Sequence, residues 1–198
     1  MAVLTTTEWG RRFWTLLRRR LAWLAAFALL GGARGAPAET APPDEYQVKA
    51  ADLYHFAQFV EWPADAFLQR NSPLIIGVLG ENPFGSYLDD LVRGEKVGSR
   101  PLLVHHYRRP EEIADCHILF VSKSEAGSLD KVFAALKGRS ILTVGDVDTF
   151  IQQGGLIRFL IEEGTVRFKV NIVVAKASRL TISSKILSRE RIETPGKP

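Results

Sequence analysis

Two carboxylates, Asp146 and Asp148, directly follow an apolar run, Ser140 to Val144, that reads as a strand. In open α/β sheets, ligands gather outside the carboxyl ends of the strands. A pair of acids there could hold a cation or a ligand amine, or act as general acid and general base. The same residues suit the N-cap of a short helix beginning at Val147, because aspartate accepts from the unpaired N–H groups of a first turn. No nucleophile or oxyanion-holding motif stands beside them. Gly-x-Ser-x-Gly, a phosphate-binding P-loop and a Cys–His arrangement are all missing from the chain. No catalytic residue is therefore assigned.

A second group, Arg158, Arg167, Lys169 and Asn171, falls on two runs separated by Glu163-Gly164. If Arg167 and Lys169 share the outer face of a hairpin, they form a small basic strip. That strip is either solvated or a contact for an anion, a carboxylate or a partner. Phe56, Phe59 and Trp62 continue one line along a helix. They suit a core, and Trp62 at an exposed edge would be an interface anchor. The four histidines do not make a metal site. His105 and His106 are adjacent on a strand and point to opposite faces, and no histidine or cysteine spacing matches zinc. The single cysteine, Cys116, opens an apolar run. It is a buried small hydrophobe, or else an intermolecular or reactive thiol, and no disulfide can form within the chain.

The stretch from Gly77 to Gly85 follows a strand and opens a helix, where a dinucleotide-binding loop would sit. The spacing argues against it. Gly77 lies inside the strand, Glu81 would repel a pyrophosphate, and Pro83 removes a donor. A tight strand-to-helix turn explains the same residues, and no cofactor is implied.

The elements that must position these side chains follow from periodicity. Ala50, Leu53, Tyr54, Ala57 and Val60 form one helical stripe within Val48 to Glu61, stopped by Pro63. Strands are predicted at Leu74 to Leu79, Leu102 to Tyr107, His117 to Val121 and Ser140 to Val144. Helices are predicted at Phe84 to Val92, at Ser124 to Leu136 with Ser124 as N-cap, and over Val147 to Gln153, ended by Gly154-Gly155. Ile157 to Glu162 and Thr165 to Val170 form a hairpin, with Val166, Phe168 and Val170 alternating with Arg167 and Lys169. Asn171 to Ala177 and Ser183 to Arg191 complete the list as helices. Strands alternating with helices predict a single layered α/β domain, with a mostly parallel central sheet and a closing antiparallel hairpin.

Composition sets the setting. The chain has 198 residues, 46 % apolar and 24 % charged, the balance of a folded domain rather than a disordered or disulfide-dense one. Its net charge of +4 comes from the first segment. Removing the six basic residues and one acid of residues 1–36 from totals of 26 and 22 leaves 20 basic against 21 acidic residues. A near-neutral remainder gives no field for nucleic acid. Arg18-Arg19-Arg20 precedes the uninterrupted apolar run 21–30, and small residues follow. A spanning helix needs about 20 apolar residues, so this is the pattern of a secretory signal peptide, cleaved between about 33 and 38. Residues 37–46 then read as a flexible leader, 47–192 as the domain and 193–198 as a tail, the mature part being exported, which in a bacterium means to the periplasm.

Several stretches combine into one further pattern. They are Val48 to Pro63 with its Glu61-Trp62-Pro63 ending, Ile76 to Gly80, Cys116 to Ser122 and Ile141 to Asp146. Phe150 with Gly154-Gly155, Val166 to Asn171 and Leu180 to Leu187 continue it. Together they resemble the YfiR family of exported bacterial proteins, from about Val48 to Ile192. The resemblance implies a periplasmic regulator that represses a membrane-bound diguanylate cyclase through the periplasmic part of that enzyme, limiting cyclic-di-GMP signalling and biofilm formation. An outer-membrane lipoprotein partner would titrate it away. The family's namesake carries paired cysteines, whereas this chain has only Cys116, so control by an internal disulfide is closed to it. No catalytic residue is carried over. The partner- or ligand-binding candidates remain Trp62, Asp146, Asp148, Arg158, Arg167, Lys169 and Asn171. An edge hairpin also offers one route to a homodimer. A periplasmic small-molecule sensor with no cyclase partner is the alternative reading.

Overall fold

The computed structural model describes residues 44–187. The predicted signal peptide, most of the leader, the end of the last helix and the tail lie outside the described residues. Helix α1 spans Glu45–Phe59 and runs into a two-residue strand β1, Val60–Glu61. Strand β2 is Leu74–Leu79, helix α2 Tyr87–Val92, β3 Lys96–Val97, β4 Arg100–Tyr107 and β5 Ile118–Val121. Helix α3 is Leu129–Ala135, β6 Leu142–Gly145, β7 Ile157–Glu162 and β8 Thr165–Val170. Helix α4 is Ile172–Ala177, β9 Thr181–Ile182 and α5 Ser184–Leu187.

The sheet has seven strands in the order β3-β4-β2-β5-β6-β7-β8. The inner pairs β4–β2, β2–β5, β5–β6 and β6–β7 are parallel, and both edge pairs are antiparallel. β2, β5 and β6 are buried on both faces, as the unbroken apolar runs require. One face carries Ile76, Ile118, Phe120, Leu142 and Val144 under α1 and α2. The other carries Leu79, Leu119 and Val121 under Leu129 and Val132 of α3. This is the predicted single-domain α/β fold with its mostly parallel sheet and closing hairpin. Gly77 sits mid-strand because a Cβ there would lie 2.7 Å from the Tyr107 ring and 2.9 Å from Cys116 Sγ. Among the described residues no helix is long and apolar enough to cross a membrane.

Five local expectations are corrected. The first helix begins at Glu45 and stops at Phe59, because Val60 and Glu61 pair antiparallel with Ile182 and Thr181 in a separate two-stranded sheet. Residues 123–136 divide into a 3₁₀ turn, Lys123–Glu125, and α3. Ser122 rather than Ser124 caps the turn, its hydroxyl accepting from the Ser124 N–H. No regular helix forms over Val147 to Gln153. Phe150 is drawn into the core between two glycines. A Cβ on Gly145 would lie 2.5 Å from its ring, and one on Gly155 would overlap it. The backbone closes with irregular spacings, Gln153 N–H to Thr149 O (3.0 Å) and Gly155 N–H to Phe150 O (2.8 Å). Asp146 and Asp148 therefore cap no helix.

Candidate functional site

The carboxyl end of β6 delivers Asp146 beneath the first turns of α1. Lys49 Nζ lies 2.6 Å from Asp146 Oδ2, and the two side chains are 1 % and 2 % exposed. The same oxygen accepts from Tyr46 Oη at 3.1 Å, and Lys123 Nζ stands 3.7 Å away. Glu45 Oε1, one turn before Lys49, is 2.5 Å from its ammonium. The lysine also sits 4.4 Å over the Tyr46 ring, a cation–π contact strengthened by desolvation. Asp146 Oδ1 is buried without a hydrogen-bond partner among the described residues. Burial, then the Asp146 charge, push the Tyr46 phenol up to about 12, so it stays a donor at neutral pH. The cluster can lock α1 to the sheet, and it leaves one acceptor over.

Lys49 and Tyr46 did not emerge from sequence reasoning. A signal was present: Lys49, Leu53 and Phe56 fall at i, i+4 and i+7, so a lysine stands on the buried stripe. A charge there must find a partner.

The predicted residues do not converge. Asp148 points to solvent and pairs with Arg158 at 2.6 Å. Arg158 stands opposite Lys169, and Leu160 opposite Arg167, so the three cations share one face of the hairpin. Phe159 and Phe168 occupy the other face, packed under Phe56 of α1. Asn171 caps α4, its Oδ1 accepting from the Val174 N–H at 3.2 Å. Trp62 is half-buried at the opposite end of the sheet, its indole N–H donating to His117 O at 3.2 Å. Among the described residues no three His, Cys, Asp or Glu side chains come together as a metal set.

Between β2 and β5 the strand order reverses, the usual crevice for a cofactor in such sheets. Here Ser124 Oγ accepts from the Glu81 N–H at 3.0 Å, and a Cβ on Gly80 would overlap that hydroxyl, so the Ser124 side chain takes up the space beside the turn.

The amino ends of the strands are chemically distinct. Cys116 is buried and donates to Ile118 O at 3.1 Å. Burial pushes its thiol up to about 12, against the charge of Arg139. His117 is stacked on Phe67, with ring centroids 4.4 Å apart, and its Nδ1 accepts from the Ile75 N–H at 3.1 Å. Burial lowers its pKa, so the ring is neutral near pH 7.

Comparison with known proteins adds the relationship. None of the curated proteins matches the chain. A crystal structure of a conserved domain protein from Vibrio cholerae O1 biovar El Tor strain N16961 is similar at 12 % identity and a TM-score of 0.48. The likeness covers 76 % of this chain and 60 % of that one. The YfiR/HmsC-like family model matches residues 46–189, nearly the whole described fold. The chain thus belongs to the YfiR/HmsC-like family.

Proposed function

We propose that this protein is exported to the periplasm and represses a membrane-bound diguanylate cyclase by binding the periplasmic part of that enzyme. It would thereby limit cyclic-di-GMP signalling and biofilm formation. The family match over residues 46–189 carries the reading. The basic run followed by the apolar segment 21–30 supports export. Repression needs no chemistry: a cyclase must bring two catalytic domains together, so holding its periplasmic parts apart or misaligned suffices. The proposed contact strip is the outer hairpin face, where Arg167 is exposed and Arg158 and Lys169 are half-buried beside it. An outer-membrane lipoprotein competing for this protein would relieve repression.

The test is capture of the tagged protein on detergent-solubilised membranes from its own organism, with cyclic-di-GMP measured after gene deletion. Recovery of a membrane protein bearing a cyclase domain and a rise in cyclic-di-GMP are expected. Arg167→Glu should reduce the recovery. Unchanged cyclic-di-GMP across several growth conditions would overturn the reading.

A further inference from the structure

The loops before β2, β5 and β6 and the turn after α4 enclose a groove of about 270 Å³ at the amino ends of the parallel strands. That is just below the roughly 300 Å³ at which pockets for drug-sized ligands begin, a size that limits the groove to a small anion. Its walls include Asp65, Asp115, Arg139, Ser140 and Arg179, and Leu68 forms an apolar lip, 82 % exposed.

The two arginines are held differently. Arg139 donates from one terminal nitrogen to Ile113 O at 2.7 Å and from the other to Ala114 O. Carbonyls fix the guanidinium without neutralising it. Among the described residues no carboxylate oxygen lies within 4.0 Å of it. A half-buried, oriented, uncompensated guanidinium is the group that binds carboxylate or phosphate in a fork.

Arg179 occupies the position after the C-cap of α4 at φ 57. The Arg179 N–H bonds Lys176 O and the Leu180 N–H bonds Ala175 O, both at 3.0 Å. This is a Schellman turn, in which glycine is the usual residue. The strained backbone holds an arginine whose guanidinium reaches Asp65 at 2.8 Å and the buried Ser140 Oγ at 3.2 Å. The pair with Asp65 joins side chains 55 % and 63 % exposed. Such exposed pairs contribute little to stability, so a ligand oxyanion can take the place of Asp65.

We propose that this groove binds a small organic anion, its carboxylate or phosphate held by Arg139 and Arg179 and its carbon body against Leu68. The site stands whether or not a cyclase is the partner. The test is calorimetric titration of the protein produced from its full-length gene with inorganic phosphate, benzoate and succinate. At least one probe should saturate a single site with a Kd of about 10 mM or below. Phosphate alone would assign a phosphate ester, and benzoate or succinate alone a carboxylate.

Arg139→Gln and Arg179→Gly should each weaken the binding at least about tenfold. Arg179→Gly should do so with an unchanged or higher Tm, because glycine relieves the left-handed backbone. Asp65→Asn, lacking the competing carboxylate, should tighten it. Three results would each overturn the proposal: no saturation by any probe, both arginine variants titrating like the unaltered protein, or weaker binding by Asp65→Asn.

Discussion

Lys49 and Asp146, 97 positions apart in the chain, form an ion pair at 2.6 Å that is nearly sealed from solvent. It ties the first helix to the carboxyl end of β6. Two charges taken out of water are stabilising only in each other's presence.

Removing one partner should therefore be worse than removing both. Asp146→Leu alone leaves the buried Lys49 ammonium with only the part-exposed Glu45 as counter-charge, and should cost up to about 3–5 kcal/mol. For a domain of this size that is a fall in Tm of roughly 10 °C. The double variant Lys49→Met with Asp146→Leu should recover most of the loss. Thermal unfolding followed by circular dichroism checks the pair, and additive losses would contradict the assignment.

Alkaline stability has a definite sign. Cys116 is raised from 9.0 to about 12 by burial, and Tyr46 and Tyr107 are raised from 10.0 to about 12, also chiefly by burial. A raised pKa in the folded state means the unfolded chain loses its proton first. Their contribution is thus complete below pH 9 and falls as pH rises from 9 towards 12. Denaturant midpoints across that range should decline, and Cys116→Ala should flatten the decline from its start. The native thiol should also resist aromatic disulfide reagents at pH 8.

On the acid side His117 acts in the opposite direction. Burial depresses its pKa below 6.5, so the unfolded chain binds the proton first and stability falls as pH drops below about 6.5. Protonation would also cost the bond from Ile75 N–H to Nδ1. Imidazole carbon-bound proton shifts in NMR should place the His117 midpoint below 6.5.

Phe150 requires both of its flanking glycines. Gly155→Ala should force the ring out of place and cost about 1–3 kcal/mol, the usual penalty of an overpacked core. Gly145→Ala, with a Cβ 2.5 Å from the ring, should behave alike. A double-mutant cycle with Phe150→Leu should show coupling in urea unfolding, whereas independent effects would argue against the clamp.

Asn171→Ala should remove the side-chain bond to Val174 N–H. A lost cap costs about 1 kcal/mol, and the effect should be confined to α4 in amide hydrogen exchange. Uniform loss of protection across the sheet would point to a wider role.

The sequence alone determined the elements whose signals are local. Leu74–Leu79 begins after Pro73 and ends before Gly80, and β7 and β8 flank Glu163-Gly164, so their boundaries follow from neighbouring residues. Alternation also identified Phe168 and Val170 as buried and Arg167 as outward. The family pattern was legible for the same reason, being a set of short motifs in order. Tertiary structure decided who meets whom. Periodicity shows that a helix face is buried but not what covers it, so Lys49 on an apolar stripe announced a partner without naming Asp146. The pairing of β1 with β9, the pull of Phe150 that unmade a predicted helix, and the approach of Arg179 to Ser140, 39 positions earlier, all depend on non-local contacts. Asp146 and Asp148 show the limit most clearly. Two carboxylates one residue apart look like one site, but burial drew the first under α1 and left the second in water beside Arg158.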